Sequence, residues 1–286
     1  MSMKQVQFTK MTGAGNDFIL VDNRDDRYGL KWDKFTQVVC DRRYGIGADG
    51  VLVIENSSAA DFKMLYFNAD GSWGGMCGNG GRCVAAFFMK EKEAESVRFE
   101  ALGHVYKARR SGADVILRMK NPNSIQLNAE LSVSDSTLRY HYVDTGAPHV
   151  VMYFNDLPAE LQAIVTQGGM EKVGQTIRCH PQFAPDGTNV NIVREGINGA
   201  IEMRTYERGV EAETLACGTG AVACSIVSSL ILGAVSPVRV TTRSGELLIV
   251  SFVRDNGTIS DVDLQGPVKF VYTGEILHEQ EGGSLG

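Results

Sequence analysis

The chain has 286 residues, 43% hydrophobic and 22% charged, the composition of an ordinary globular protein of one large or, as expected here, two moderate domains. A formal net charge of −6 excludes the clustered basic surplus of a nucleic-acid binder. No apolar run is long enough to span a bilayer, and the opening MSMKQVQFTK lacks the apolar core of a signal peptide, so a cytoplasmic protein without a membrane partner is expected.

In chain order, TGAGNDFILV (Thr12 to Val21) is strand-like and ADGVLVIE (Ala48 to Glu55) opens on an Asp-Gly turn signal. DFKMLYFN (Asp61 to Asn68) alternates as a strand does and leads into MCGNGGRCVAAFF, Met76 to Phe88. That stretch places a thiol before flexible residues and an apolar helix predicted over Arg82 to Met89. A helix that only needed a start would use Ser, Thr, Asp or Asn, whose oxygens accept from the free backbone N–H groups; cysteine caps poorly. A thiol gains reactivity there, because the positive end of the helix dipole favours thiolate. Gly78, Gly80 and Gly81 leave backbone N–H groups open to an anion such as a carboxylate.

The pattern breaks at MKNPNS, Met119 to Ser124, and then restarts. TGAPHVVMY (Thr145 to Tyr153) matches TGAGNDFILV, with TGAPH set against TGAGN. PDGTNVNIV (Pro185 to Val193) matches the earlier Asp-Gly run, and AIEMRTYE (Ala200 to Glu207) matches DFKMLYFN. ACGTGAVACSIV (Ala216 to Val227) echoes the cysteine loop and opens a helix predicted over Ala221 to Leu232. Asn68 precedes Cys77 by nine positions and Glu207 precedes Cys217 by ten. Four blocks in the same order indicate a duplication. Both helices are apolar on nearly every face, which requires burial. The expected fold class is therefore α/β of the α+β type. It has two pseudo-symmetric domains, each a mainly antiparallel, β-barrel-like sheet wrapped around a central helix. The expected domains are 1–119, completed by the strand-like return in 265–286, and 120–264. The tail EQEGGSLG is expected to fray.

In a reducing compartment the six cysteines do not read as a disulfide framework, and no CxxC pair or nearby His supports a zinc site. Cys83 and Cys224 fall on apolar helix faces and read as buried hydrophobes. Two helix starts meeting across a pseudo-twofold would set Cys77 and Cys217 on opposite sides of one cleft. A thiolate on one face of a substrate carbon could then remove a proton while a thiol on the other returns one, inverting the carbon without a cofactor or metal. The N–H groups at Gly78-Asn79 and Gly218-Thr219 would stabilise the developing charge, and His149 and Glu207 are candidates to support the sulfurs.

At these residues the sequence closely resembles the diaminopimelate epimerase family. The motifs are GAGNDF at Asn16, GIGADG at Asp49, FNADGS at Asn68, MCGNGGRC at Cys77, PH at His149, GTNVN at Asn189, and YERG then ETLACGTG from Glu207 to Gly220. The resemblance implies a cofactor-independent interconversion of LL- and meso-diaminopimelate for lysine and peptidoglycan-precursor synthesis, and a homodimer. It implies Cys77 and Cys217 as the acid/base pair, with His149 and Glu207 supporting them. It implies Asn16, Asn68, Gly78, Asn79, Asn189, Glu207, Arg208, Gly218 and Thr219 as substrate-binding. Two departures bear on the distal end of such a substrate. Ala147 stands where many members have Asn, and GVEAET (Gly209 to Thr214) is one residue longer than the common GAGET. Two other readings stay open: a racemase of the proline or hydroxyproline type, and a thiol redox protein in which the two cysteines cycle through a disulfide. For the asparagines, taken alone, turn chemistry is the alternative role. GIGADG leads into a strand, not a helix, so it is no dinucleotide loop.

Overall fold

The computed structural model describes residues 2–133 and 136–280. The chain divides into two compact units, one running to Val115 and resuming at Val268, the other from Ile116 to Pro267. In the first part of the chain the elements are β1 (Ser2–Gly13), β2 (Asn16–Asp22), α1 (Trp32–Val39), β3 (Gly50–Glu55), β4 (Phe62–Asn68), α2 (Gly78–Glu91), β5 (Ser96–Ala101), β6 (His104–Ser111) and β7 (Asp114–Arg118). Strands β1 and β2 pair antiparallel, β2 and β3 parallel, β3 and β4 antiparallel, β4 and β5 parallel, β5 and β6 antiparallel. A parallel pair cannot be joined by a tight turn, so each needs a crossover. Helix α1 lies in the first crossover and α2 in the second. Helix α2 packs against all six strands from β1 to β6 and is buried from Gly78 to Ala86. Strand β3 is buried on both faces: Val51 and Val53 join Val6, Ile19, Val21, Phe35 and Val39 in an outer layer under α1. That double burial explains its unbroken apolar run.

The second part holds β8 (Ser124–Val133), β9 (Ser136–Asp144), β10 (Pro148–Tyr153), α3 (Ala159–Thr166), α4 (Met170–Arg178), β11 (Asn189–Glu195), β12 (Ile201–Glu207), β13 (Ala212–Thr214), α5 (Gly218–Leu232), β14 (Val238–Thr241), β15 (Leu247–Asp255) and β16 (Thr258–Gln280). From β9 through β10, β11, β12 and β14 to β15 the pairings run antiparallel, parallel, antiparallel, parallel, antiparallel, the same series as in the first unit. Helix α5 makes the β12–β14 crossover and packs against β9, β10, β11, β12, β14 and β15. On the other face Met170, Val173 and Ile177 of α4 cover Val190, Ile192 and Tyr206. Each unit is thus a mainly antiparallel sheet around a buried helix, with its parallel pairs confined to the helical crossovers. The last strand, β16, pairs first with β15 and then, from Val268 onward, with β1. Among the described residues no helix is long and apolar enough to cross a membrane.

Three local expectations need correction. Both central helices start earlier than their apolar runs, at Gly78 instead of Arg82 and at Gly218 instead of Ala221. Glycine disfavours helix by about 1 kcal/mol per residue, but the tertiary burial of these first turns overrides that propensity. The two TGA blocks also do not align end to end. Phe18 faces Gly50 across β2–β3 and His149 faces Asn189 across β10–β11, while Val51 pairs with Phe67 as Val190 pairs with Tyr206. His149 therefore holds the place of Phe18, and Asn16 sits at the mouth of the preceding turn. Finally, the tail does not fray from its first residue, since Glu279 and Gln280 pair with Met3 and Ser2. The remaining EGGSLG lies outside the described residues.

Candidate active site

In the first unit Cys77 is the N-cap of α2, in extended backbone (φ −109°, ψ 121°), and its sulfur accepts from the Gly80 N–H at 3.4 Å. The cap is a long sulfur contact, and Cys217 at the start of the other central helix makes no side-chain cap hydrogen bond, in keeping with cysteine as a poor cap. On another side the Cys77 Sγ lies 3.7 Å from Asn16 Oδ1. The thiolate is served by the N–H and the thiol by the carbonyl, so both protonation states have a partner.

The Asn16 amide is held from two directions. Its Nδ2 donates to Asp49 Oδ2 at 2.6 Å, and because a carboxylate only accepts, Oδ1 is the atom turned to Cys77. Asn79 Nδ2 reaches the same Oδ1 at 3.4 Å, while Asn79 Oδ1 accepts from Arg82 Nη2 at 2.8 Å. Arg82 is fully buried in the first turns of α2, and its Nη1 donates to the Gly78 carbonyl at 3.3 Å. Behind Asp49, Arg42 bridges Asp49 and Asp17, and Lys10 also meets Asp17. Burial pushes Asp17 up, but the hydrogen bonds and charges of Arg42 and Lys10 outweigh it and bring it down to about 2. Asp49 moves the other way: burial and the neighbouring Asp17 raise it against the Asn16 hydrogen bond. Asn68, at the end of β4, donates from Nδ2 to Ser72 Oγ at 3.0 Å. The sequence motifs by themselves give neither Asp49 nor Arg82 a role. The available signal for Arg82 was a cation inside an apolar helix.

In the second unit Cys217 is the N-cap of α5 (φ −127°, ψ 113°) and is buried, with Sγ 3.5 Å from Thr219 Oγ1. Thr145 Oγ1 ties down the same turn through the Thr219 carbonyl at 3.4 Å. His149, on β10, is fully buried, and its Nδ1 lies 3.1 Å from Asn191 Nδ2. Burial, reinforced by the Arg208 charge, pushes His149 down to about 3, so the ring is neutral at ordinary pH. Glu207, at the end of β12, accepts from Thr214 Oγ1 at 2.9 Å. Asn189 Nδ2 donates to the Pro148 carbonyl and its Oδ1 accepts the Arg208 N–H, both at 2.9 Å. Asn189 thereby fixes the backbone that carries Arg208, whose Nη1 lies 3.4 Å from the Asp186 carbonyl.

The lengthened loop after Arg208 has an internal anchor. Glu211 adopts φ 58°, and its carboxylate accepts from the Gly209 N–H, Arg178 Nε and Tyr206 OH. At Ala147 the side chain ends at Cβ, and its carbonyl accepts from the Thr145 N–H at 3.1 Å. Among the described residues no three His, Cys, Asp or Glu side chains cluster as metal ligands.

The sequence pattern described as "Diaminopimelate epimerase" matches residues 8–124 and 141–271. The chain belongs to the diaminopimelate epimerase family. A relative with that name from Hydrogenobaculum sp. is 40% identical over 287 residues, covering 95% of this chain and 98% of its own. Another, from Chlorobaculum tepidum, is 42% identical over 272 residues, covering 93% and 99%. As a member of this family the chain is an isomerase. Solved structures share the fold at low identity. A phenazine biosynthesis protein of the PhzF family from Bacillus anthracis matches with TM-score 0.69 at 14% identity, over 96% of this chain and all of that one. A hydroxyproline epimerase from Agrobacterium vitis matches with TM-score 0.66 at 16% identity, over 96% and 92%. Their identities are too low for anything but fold, so the substrate reading rests on the sequence relatives.

Proposed function

We propose that the protein interconverts LL- and meso-diaminopimelate without a cofactor, with Cys77 and Cys217 as acid and base on opposite faces of one stereocentre. The supporting observation is that each unit builds the same local device: a helix whose N-cap is a cysteine and whose first turn is rich in glycine. One sulfur, as thiolate, takes the α-hydrogen as a proton and leaves the electron pair on carbon. The other, as thiol, gives its proton to the opposite face and becomes the thiolate. The enzyme ends with the proton on the first sulfur, ready for the reverse reaction. The carbanion is the costly species. N–H groups at Gly78-Asn79 and Gly218-Thr219 would hold the α-carboxylate and its growing charge, and loss of one such donor typically costs about 10²–10³ in turnover.

On this reading Asn16, Asn68, Asn189, Glu207 and Arg208 hold the remainder of the substrate, with the Arg208 guanidinium suited to a distal carboxylate. His149 and Glu207 tune the sulfurs. The two halves, 1–119 with 265–286 and 120–264, are duplicated domains. A homodimer in the cytoplasm, supplying lysine and peptidoglycan precursors, fits this activity. The test is incubation of the purified enzyme with LL-diaminopimelate in D₂O. Inversion with one solvent deuterium at the α-carbon is expected, with no such turnover in Cys77→Ala or Cys217→Ala at retained fold. Turnover of proline but not diaminopimelate, or inversion without deuterium, would overturn the proposal.

A further inference from the structure

Asn191 was assigned no function by the sequence motifs, yet its side chain is fully buried beside His149 and all its polar atoms are engaged. Nδ2 donates to the Val150 carbonyl at 2.9 Å and faces His149 Nδ1 at 3.1 Å. Oδ1 accepts from Thr205 Oγ1 at 2.9 Å. The orientation of this amide is determined, because a backbone carbonyl can only accept and the atom against Val150 must therefore be the nitrogen. Its second hydrogen then points at His149 Nδ1, which must supply a lone pair. A neutral imidazole carries one proton, so that proton is on Nε2. Nε2 is buried and has no hydrogen-bond partner among the described residues. A buried N–H without an acceptor costs about 1–3 kcal/mol, so its retention suggests a task.

We propose that Asn191 is a positioning residue that sets the His149 tautomer, making the ring an Nε2–H hydrogen-bond donor to the reacting groups and not a proton-accepting base. The consequence for catalysis rests on the epimerase reading above. A donor of this kind stabilises a thiolate or carboxylate partner without giving up its proton. A second proton on the ring would have to enter at Nδ1, against the Asn191 N–H, which disfavours it together with the nearby Arg208 charge. Thr205 holds the far end of the amide and stops it from flipping.

The experiment is nitrogen NMR of the full-length protein with ¹⁵N-labelled histidine, the His149 ring signals being assigned by their loss in His149→Gln. Wild type should show a pyrrole-like, protonated Nε2 and a pyridine-like Nδ1. In Asn191→Asp the carboxylate should draw the proton to Nδ1, and kcat/KM for diaminopimelate should fall by about a hundredfold or more, as a misplaced histidine tautomer can cost even more elsewhere. The variant should also gain a new ionisation in its kcat/KM pH profile. Protonated Nδ1 in wild type, or an unchanged tautomer in the aspartate variant, overturns the proposal. If the variant fails to fold, the wild-type spectrum alone decides the tautomer. If the tautomer is as stated but diaminopimelate is not turned over, the function proposal fails and the positioning role of Asn191 stands.

Discussion

At the residue scale, burial decides which protonation state each group holds. Cys83 and Cys224 lie fully buried inside the two central helices, and desolvation pushes both thiols up, Cys83 to about 12, so neither competes as a nucleophile. His149 illustrates the same cause acting on a base. In the unfolded chain it takes a proton below about pH 6.5, but in the folded protein only near pH 3. The unfolded state therefore binds the extra proton between those values, and stability falls as pH drops through that window. His149→Gln removes this linkage. Urea midpoints at about pH 7.5 and about pH 4.5 should show wild type losing more stability on acidification than the variant. Equal losses would mean that His149 is not buried neutral. The sequence identified His149 through its motif but could not show its environment, because Asn191 and the Arg208 charge come near it only through strand pairing.

At the scale of elements, the first turn of each central helix is where sequence and packing meet. In α5 a Cβ on Gly220 would stand 2.6 Å from Asn191 Oδ1 and 3.3 Å from Cys217 Sγ. In α2 a Cβ on Gly80 would meet Leu52 Cδ2 at 2.9 Å, the end of a side chain that can move. Alanine gains up to about 1 kcal/mol of helix propensity at either position, but overpacking against a fixed amide costs about 1–3 kcal/mol. The steric effect wins in α5. Gly220→Ala is expected to lower both the unfolding temperature and kcat/KM, and Gly80→Ala to lower them less. A thermal melt and initial rates on the two variants check this, and the reverse order would refute it. The alternating strands and the two buried helices were legible in periodicity. The helix starts were not, because glycine-rich turns carry no apolar signal and become helical only when packed. The offset that places His149 opposite Asn189 was equally hidden, since strand register is set between chain segments and not within one.

For the whole molecule, the chain returns at its end to the unit in which it began. From Val268 the last strand pairs along β1, where Tyr272 meets Phe8 and His278 meets Phe35 edge to face. A chain ending at Pro267 would leave β1 without that ladder and uncover part of the layer beneath α1. Hydrogen exchange should then show protection lost across β1, β2 and α1, while β9 to β12 keep theirs. Uniform retention of protection would mean that the returning strand is dispensable. By itself, the sequence determined the family, the repeat and the identity of the two cysteine turns, because those depend on which residues stand next to each other along the chain. Only the tertiary structure decided what each of those groups is bonded to. The Asp49–Asn16 clasp behind Cys77 and the Asn191 amide against His149 join residues on different elements, and hydrogen bonds between them exist only once the strands have paired.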